Sequence, residues 1–103
     1  DEVKVYDILQ QIPHSELIHY CSRQVYEIYQ YDAAQHTDYI TTLLAYLKAN
    51  RSVKSTAAYL HVHRNTVNYR IARIRELFGL DLDSFSTVHQ ILLSCQMIRL
   101  LQD

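Results

Sequence analysis

Seven cationic side chains, Lys48, Arg51, Lys54, Arg64, Arg70, Arg73 and Arg75, fall within residues 48–75 with no Asp or Glu among them, in a chain whose formal net charge is only -1. Solvated helix faces usually mix signs, because opposite charges three or four residues apart stabilise a helix. An island of one sign instead creates a field that draws a polyanion. The flanks carry the opposite charge: residues 1–47 hold seven acids against two bases, and residues 76–103 hold four acids against Arg99. Asn65, Asn68 and Tyr69 are interleaved with the cations. An Asn amide can form two hydrogen bonds to an adenine edge in the major groove, and an Arg fork can do the same to guanine. The chemistry indicated is recognition of double-stranded DNA, with phosphates held by charge and bases read by amides.

Reactive side chains form no comparable pattern. His61 and His63 make an H-x-H pair, yet no Cys or carboxylate stands at the spacing that would complete a tetrahedral zinc shell. His14, His19, His36 and His89 are scattered. With Gly79 as the one glycine there is no glycine-rich phosphate loop, and no nucleophile, base and orienting group can be assembled by spacing. The expectation is a protein without catalysis, metal or cofactor. Cys21 and Cys95 both sit in apolar-periodic runs and read as reduced, buried thiols, which implies a reducing, cytoplasmic setting. No apolar stretch approaches the length of a membrane span. The chain starts at Asp1 with nothing resembling a signal peptide, and so reads as a piece of a longer protein.

The elements that must position these residues follow from the hydropathy pattern. One Gly, one Pro and 49% apolar content over 103 residues fit a single compact domain and exclude disordered, collagen-like and low-complexity classes. Apolar positions recur with a period near 3.6 almost throughout, which predicts helices. Val3, Tyr6, Leu9 and Ile12 mark a first helix, stopped by Pro13. Ser15 caps a second, with Leu17, Ile18, Cys21, Val25, Ile28 and Tyr29 on one face and an end near Tyr31 and Asp32. Thr37 caps a third, striped by Ile40, Leu43, Leu44 and Leu47, that stops around Asn50. Ser52 caps a short fourth. The fifth runs from about Arg64 to Phe78 and ends at Gly79, which supplies the left-handed position past a helix. Asp83 or Ser84 caps a sixth, bearing Val88, Ile91, Leu92, Cys95, Ile98 and Leu101. The expected fold is an all-α, compact six-helix domain containing a helix-turn-helix, without winged strands. A helical lead-in is expected over residues 1–36 and a DNA-binding unit over 37–103. Six of the nine tyrosines precede residue 40. They fit either amphipathic packing or an interaction face.

Residues 52–71 have the layout of a helix-turn-helix. Ala57 is small where two helices cross, Leu60 and Val62 bracket the turn, and Val67 and Ile71 return the second helix to the core. His61 takes the turn position where Gly is common, and His tolerates positive φ better than most residues. On a 100° wheel the fifth helix buries Val67, Ile71, Ile74 and Phe78 and turns Asn65, Tyr69 and Ala72 outward, flanked by Asn68 and Arg73. DNA contact is therefore assigned to Lys54, Ser55 and Thr56, near the start of the supporting helix, where such helices cross the phosphate backbone. It is also assigned to His63, Arg64, Asn65, Thr66, Asn68, Tyr69, Arg70 and Arg73 on the reading helix. Arg64 suits a base edge or a phosphate, and Asn65 and Thr66 can also cap the first turn. Arg70 lies beside the apolar stripe, its head free to reach an acid, a helix end or the DNA backbone. Lys48 and Arg75 read as edge charges.

The run LLAYLKANRSVKSTAAYLHVHRNTVNYRIARIRELFGLDL resembles the C-terminal helix-turn-helix domain of the purine catabolism regulator (PucR) family, which also includes sugar diacid regulators. Its most specific part is His63, Arg64, Asn65, Thr66 and Val67 followed by Tyr69 and Arg70. Thr56, Ala57 and Leu60 precede it, and Gly79, Leu80, Asp81 and Leu82 follow. Leu43, Tyr46 and Leu47 match the family's entering helix. The resemblance implies a cytoplasmic bacterial transcription regulator, usually with separate N-terminal sensing regions, whose C-terminal domain binds promoter DNA. A homodimer or higher homo-oligomer of the full-length protein is expected, since one recognition helix contacts few base pairs and such regulators commonly place two about one helical turn apart. The competing class is a non-catalytic helical protein-interaction or dimerisation module, which would leave the mobility of DNA unchanged.

Overall fold

The computed structural model describes residues 2–102. Seven helices follow one another: α1 (Glu2–Gln10), α2 (His14–Tyr20), α3 (Arg23–Gln35), α4 (Tyr39–Lys48), α5 (Val53–Leu60), α6 (Arg64–Phe78) and α7 (Phe85–Gln102). Six have eight residues or more, and no strand occurs among the described residues. The all-α class and the helix-turn-helix are as the sequence reads. Val3 and Tyr6 of the expected first stripe lie outside the described side chains.

The expected second helix is divided. Cys21 and Ser22 are extended, with ψ of 139° and 134°, between α2 and α3. Neither Gly nor Pro marks the break, and its cause is tertiary. The Ser22 N–H donates to Ser94 Oγ at 2.8 Å, and the Cys21 thiol lies 3.9 Å from the Ser94 carbonyl oxygen, so α7 replaces the helical bonds that the break forfeits. At the start of α2 the capping position belongs to Pro13 rather than Ser15, and Pro needs no N–H there.

The cap on α4 also differs from expectation. Asp38, not Thr37, precedes the helix and makes no capping bond through its side chain. Asp32, reaching across from the last turns of α3, accepts the N–H of Tyr39 and of Ile40, each at 2.9 Å, while the Thr37 hydroxyl donates to the same carboxylate. A carboxylate at a helix N-terminus meets both the orphan donors and the positive end of the dipole.

With its start held in this way, α4 serves as the central rod, buried along most of its length and packed against α3, α5, α6 and α7. The main core joins Val25 and Ile28 of α3, Leu43 and Leu47 of α4, Ala57 of α5, Val67, Ile71 and Ile74 of α6, and Ile91, Cys95 and Ile98 of α7. A smaller cluster of Leu9, Leu17, Met97 and Leu100 fastens α1 and α2 to α7. Tyr26, Tyr29, Tyr31 and Tyr39 pack on or in the core, Tyr31 stacking on Tyr39 at 5.5 Å and meeting Phe78 edge-on at 5.7 Å. Four of the early tyrosines are therefore packing groups, whereas Tyr20 is exposed. Both cysteines are free thiols. Burial pushes Cys95 up to about 12 and Cys21 upward from its ordinary value.

Candidate DNA interface

Local chemistry sets the crossing of α5 and α6. Ser52 caps α5, its hydroxyl oxygen accepting the Ser55 N–H at 3.1 Å. The helix ends at His61 in the left-handed conformation (φ 58°), and the Val62 N–H returns to the Ala57 carbonyl at 3.1 Å. This is the turn geometry the sequence required of His61. Ala57 and Val67 are buried at the crossing. His63 then caps α6, its Nδ1 accepting the Asn65 N–H at 3.0 Å. That bond leaves the amide side chain of Asn65 uninvolved in capping. At the far end Gly79 (φ 62°) stops the helix, and the Gln24 side chain of α3 donates to the Phe78 carbonyl at 3.1 Å.

Of the eleven residues assigned to DNA, seven are exposed: Lys54, Ser55, His63, Arg64, Asn65, Asn68 and Tyr69. They lie on α5, on α6 and in the turn between, with Tyr69 63% exposed, while Ser55 borders a groove that α5 forms with α4 and α7. The rest are less open. Thr56 is fully buried, its hydroxyl donating to the Ser52 carbonyl at 2.7 Å, so it belongs to the helix interior and not to the surface. Thr66 is half-buried. Arg70 is half-buried along the protein and donates to Thr42 Oγ1 at 3.2 Å, a hydroxyl, where the sequence allowed an acid, a helix end or the DNA backbone. Arg73 is partly exposed. The phenols of Tyr31 and then Tyr39 hold its guanidinium above its ordinary pKa, and Glu76 stands 3.7 Å away.

The cationic island thus divides. Arg51, in the left-handed region (φ 63°), donates to the Leu82 carbonyl and pairs with Asp83 at 3.2 Å, tying the α4–α5 connection to the loop before α7. Lys54, Arg64 and Arg75 make no hydrogen bond or ion pair among the described residues. Two further exposed residues were not assigned to DNA from the sequence: Tyr59 on α5, 75% exposed, and Arg75 on α6, which reads as an edge charge. A helical wheel of α5 would have placed Tyr59 outside. Among the described residues no three His, Cys, Asp or Glu side chains converge on a metal site, and no helix is long and apolar enough to cross a membrane.

Two helices packed across a short turn, an outward row of amide and phenol groups and unpaired cations beside it together define a sequence-specific, non-catalytic DNA-binding domain of the helix-turn-helix class. Residues 39–97, more than half of the chain, match the model of the PucR C-terminal helix-turn-helix domain, and the chain belongs to that family. It is 31% identical over 96 residues to the proline-responsive transcriptional activator PutR of Bacillus subtilis, an alignment covering 92% of this chain and 23% of that protein. It is 40% identical over 60 residues to the purine catabolism regulatory protein of Bacillus subtilis, covering 58% of this chain and 11% of that one. The carbohydrate diacid regulator of Escherichia coli is 48% identical over 44 residues, 43% of this chain and 11% of the relative. The chain therefore spans less than a quarter of the length of these curated relatives. No solved structure matches.

Proposed function

We propose that α6 lies in the major groove of double-stranded promoter DNA, with Asn65, Asn68 and Tyr69 against base edges, while Lys54, Ser55, His63 and Arg64 hold phosphates. The observation that carries this reading is the row of exposed Asn and Tyr side chains on α6 directly beside cations that no acid neutralises. Arg70 and Arg73 set the seat of α6 on α3 and α4, and Thr66 sits at the edge of the contact. The chain acts as the DNA-reading part of a longer cytoplasmic bacterial transcription regulator that works as a homodimer or higher homo-oligomer. Residues 1–36 form a helical lead-in, of which α3 shares the core of the DNA-binding unit. A salt titration separates the two kinds of contact. Asn68→Ala is expected to cost about 1–3 kcal/mol against the preferred duplex and little against a scrambled one, because base-edge bonds carry the discrimination. Lys54→Ala is expected to weaken both equally and to reduce the salt slope by about one. Equal loss on both duplexes for both variants, with the slope unchanged, would refute the division into readers and holders.

A further inference from the structure

A reading helix must be fixed in tilt and axial position as well as buried, because groups that read base edges act only when held within about 0.5 Å of their working place. The seat of α6 is apolar: Val67, Ile71 and Ile74 lie in the main core. Hydrophobic contact is non-directional, so it sets burial rather than pose. Directional ties reach α6 from two other helices. Arg70, in the first half of α6, donates to Thr42 on α4. At the opposite end the half-buried Gln24 of α3 donates through its side-chain amide to the Phe78 carbonyl at 3.1 Å and to that of Gly79 at 3.4 Å. The last carbonyls of a helix have no partner within it, so the Phe78 oxygen is open to such a donor. Tyr31, also on α3, meets the Phe78 ring edge-on at 5.7 Å. Gln24 and Tyr31 both precede residues 39–97, the stretch that matches the family model.

We propose that Gln24 is a positioning residue for DNA reading: by holding the C-terminal end of α6 it fixes where Asn65, Asn68 and Tyr69 stand against the bases. The inference rests on the functional reading above and adds to it a residue that touches no DNA. At 1.5 Å per residue, Phe78 lies about 20 Å along the axis from Asn65, with Ile71 near the midpoint. A helix that rocks on Ile71 carries its two ends through nearly equal and opposite distances. A shift of about 1 Å at Phe78 thus becomes about 1 Å at Asn65, more than base reading tolerates. Phosphate holding is less exacting, since an exposed charge acts over a Debye length of about 8 Å. Loss of the Gln24 bond therefore lowers discrimination between sequences more than it lowers affinity for DNA as such.

The test compares two duplexes by fluorescence anisotropy on the full chain: one enriched from a random pool by the unmodified chain, and the same duplex with its base order scrambled. Affinities are taken per folded molecule. Gln24→Met keeps the length of the side chain and removes the donor. It is expected to lower the affinity ratio between the two duplexes about tenfold, the scale of one base-edge contact, with the salt slope unchanged. Gln24→Lys returns a donor to the helix end, where a cation is also favoured. It should restore the ratio even as its charge strengthens both complexes. Gln30→Met, the same exchange at an exposed site of α3, should leave the ratio as it is. Without DNA, the amide resonances of Asn65, Asn68 and Tyr69 should move in Gln24→Met together with those of Phe78 and Gly79. A cap that only stabilised the fold would lower the denaturation midpoint and leave the ratio and the distant resonances unmoved. That result overturns the proposal, as does a lowered ratio that Gln24→Lys fails to restore. A chain that enriches no duplex refutes the reading role of α6 itself and the inference with it, whereas enrichment with an unchanged ratio in Gln24→Met removes the inference alone.

Discussion

Thr56 shows why residue type and spacing alone overassign a binding surface. It stands between Lys54, Ser55 and the turn, in a segment where supporting helices meet phosphate, and a hydroxyl there reads as a contact. The helix phase decides otherwise, for Thr56 is on the inner side with its hydroxyl bonded to Ser52. Thr56→Val keeps the shape and deletes the bond. The expected result is a loss of about 0.5–1.5 kcal/mol in urea denaturation, with DNA affinity per folded molecule and its salt slope unchanged. A drop in affinity without loss of stability would return Thr56 to the interface. The exposure of other residues was legible because their phase is plain: Asn65 and Tyr69 lie opposite the buried Val67, Ile71 and Ile74, with Asn68 on the flank, so one periodicity located both the core and the exposed polar face. Arg70 and Arg73 were harder, since a long side chain can lie along the protein surface or extend from it, and the deciding groups, Thr42, Tyr31 and Tyr39, are distant in sequence.

Among the elements, those whose ends are set locally were readable and those set by tertiary bonds were not. Ser52, His61 and Gly79 delimit α5 and α6 by their own chemistry, and the observed boundaries of α6 are those expected. The Cys21–Ser22 break depends on Ser94, more than seventy residues later, and the cap of α4 depends on Asp32, where a nearer candidate in Thr37 drew the assignment. Asp32 fixes the start of the helix on which α3, α5, α6 and α7 all pack. Asp32→Ala is therefore expected to destabilise the domain by about 1–2 kcal/mol, the cost of a lost cap and of two unsatisfied N–H groups. Chemical denaturation measures this. Because α4 also seats α6, weaker binding of DNA should appear only in proportion to the unfolded fraction; a larger loss in the folded protein would show that Asp32 touches the interface itself.

At the scale of the whole molecule, the buried Cys95 thiol links stability to pH. Its ionisation is pushed up to about 12 in the fold from an ordinary value of 9.0, so the unfolded chain loses this proton first as pH rises. The stabilising contribution is complete below pH 9 and declines between there and about 12. The fall in denaturation midpoint between pH 8 and pH 10.5 should be smaller in Cys95→Ala than in the unmodified chain, and equal falls would contradict it. Charge organisation gives the sharper test, because the island's total charge and its unpaired charge predict different numbers. Were all seven cations to meet phosphates, at about 0.9 per neutralised phosphate the logarithm of affinity would fall against log salt with a slope of about -6. In the fold Arg51 is held by Asp83 and the Leu82 carbonyl, Arg70 by Thr42, Arg73 by Glu76, and Lys48 is likewise engaged. Lys54, Arg64 and Arg75 stay available, and a monomer on one half-site should show a slope of about -3. Fluorescence anisotropy at several salt concentrations measures the slope directly. A value near -6 would mean that DNA draws the engaged arginines off their internal bonds, and the same titration on Arg70→Ala would then show the slope fall by about one.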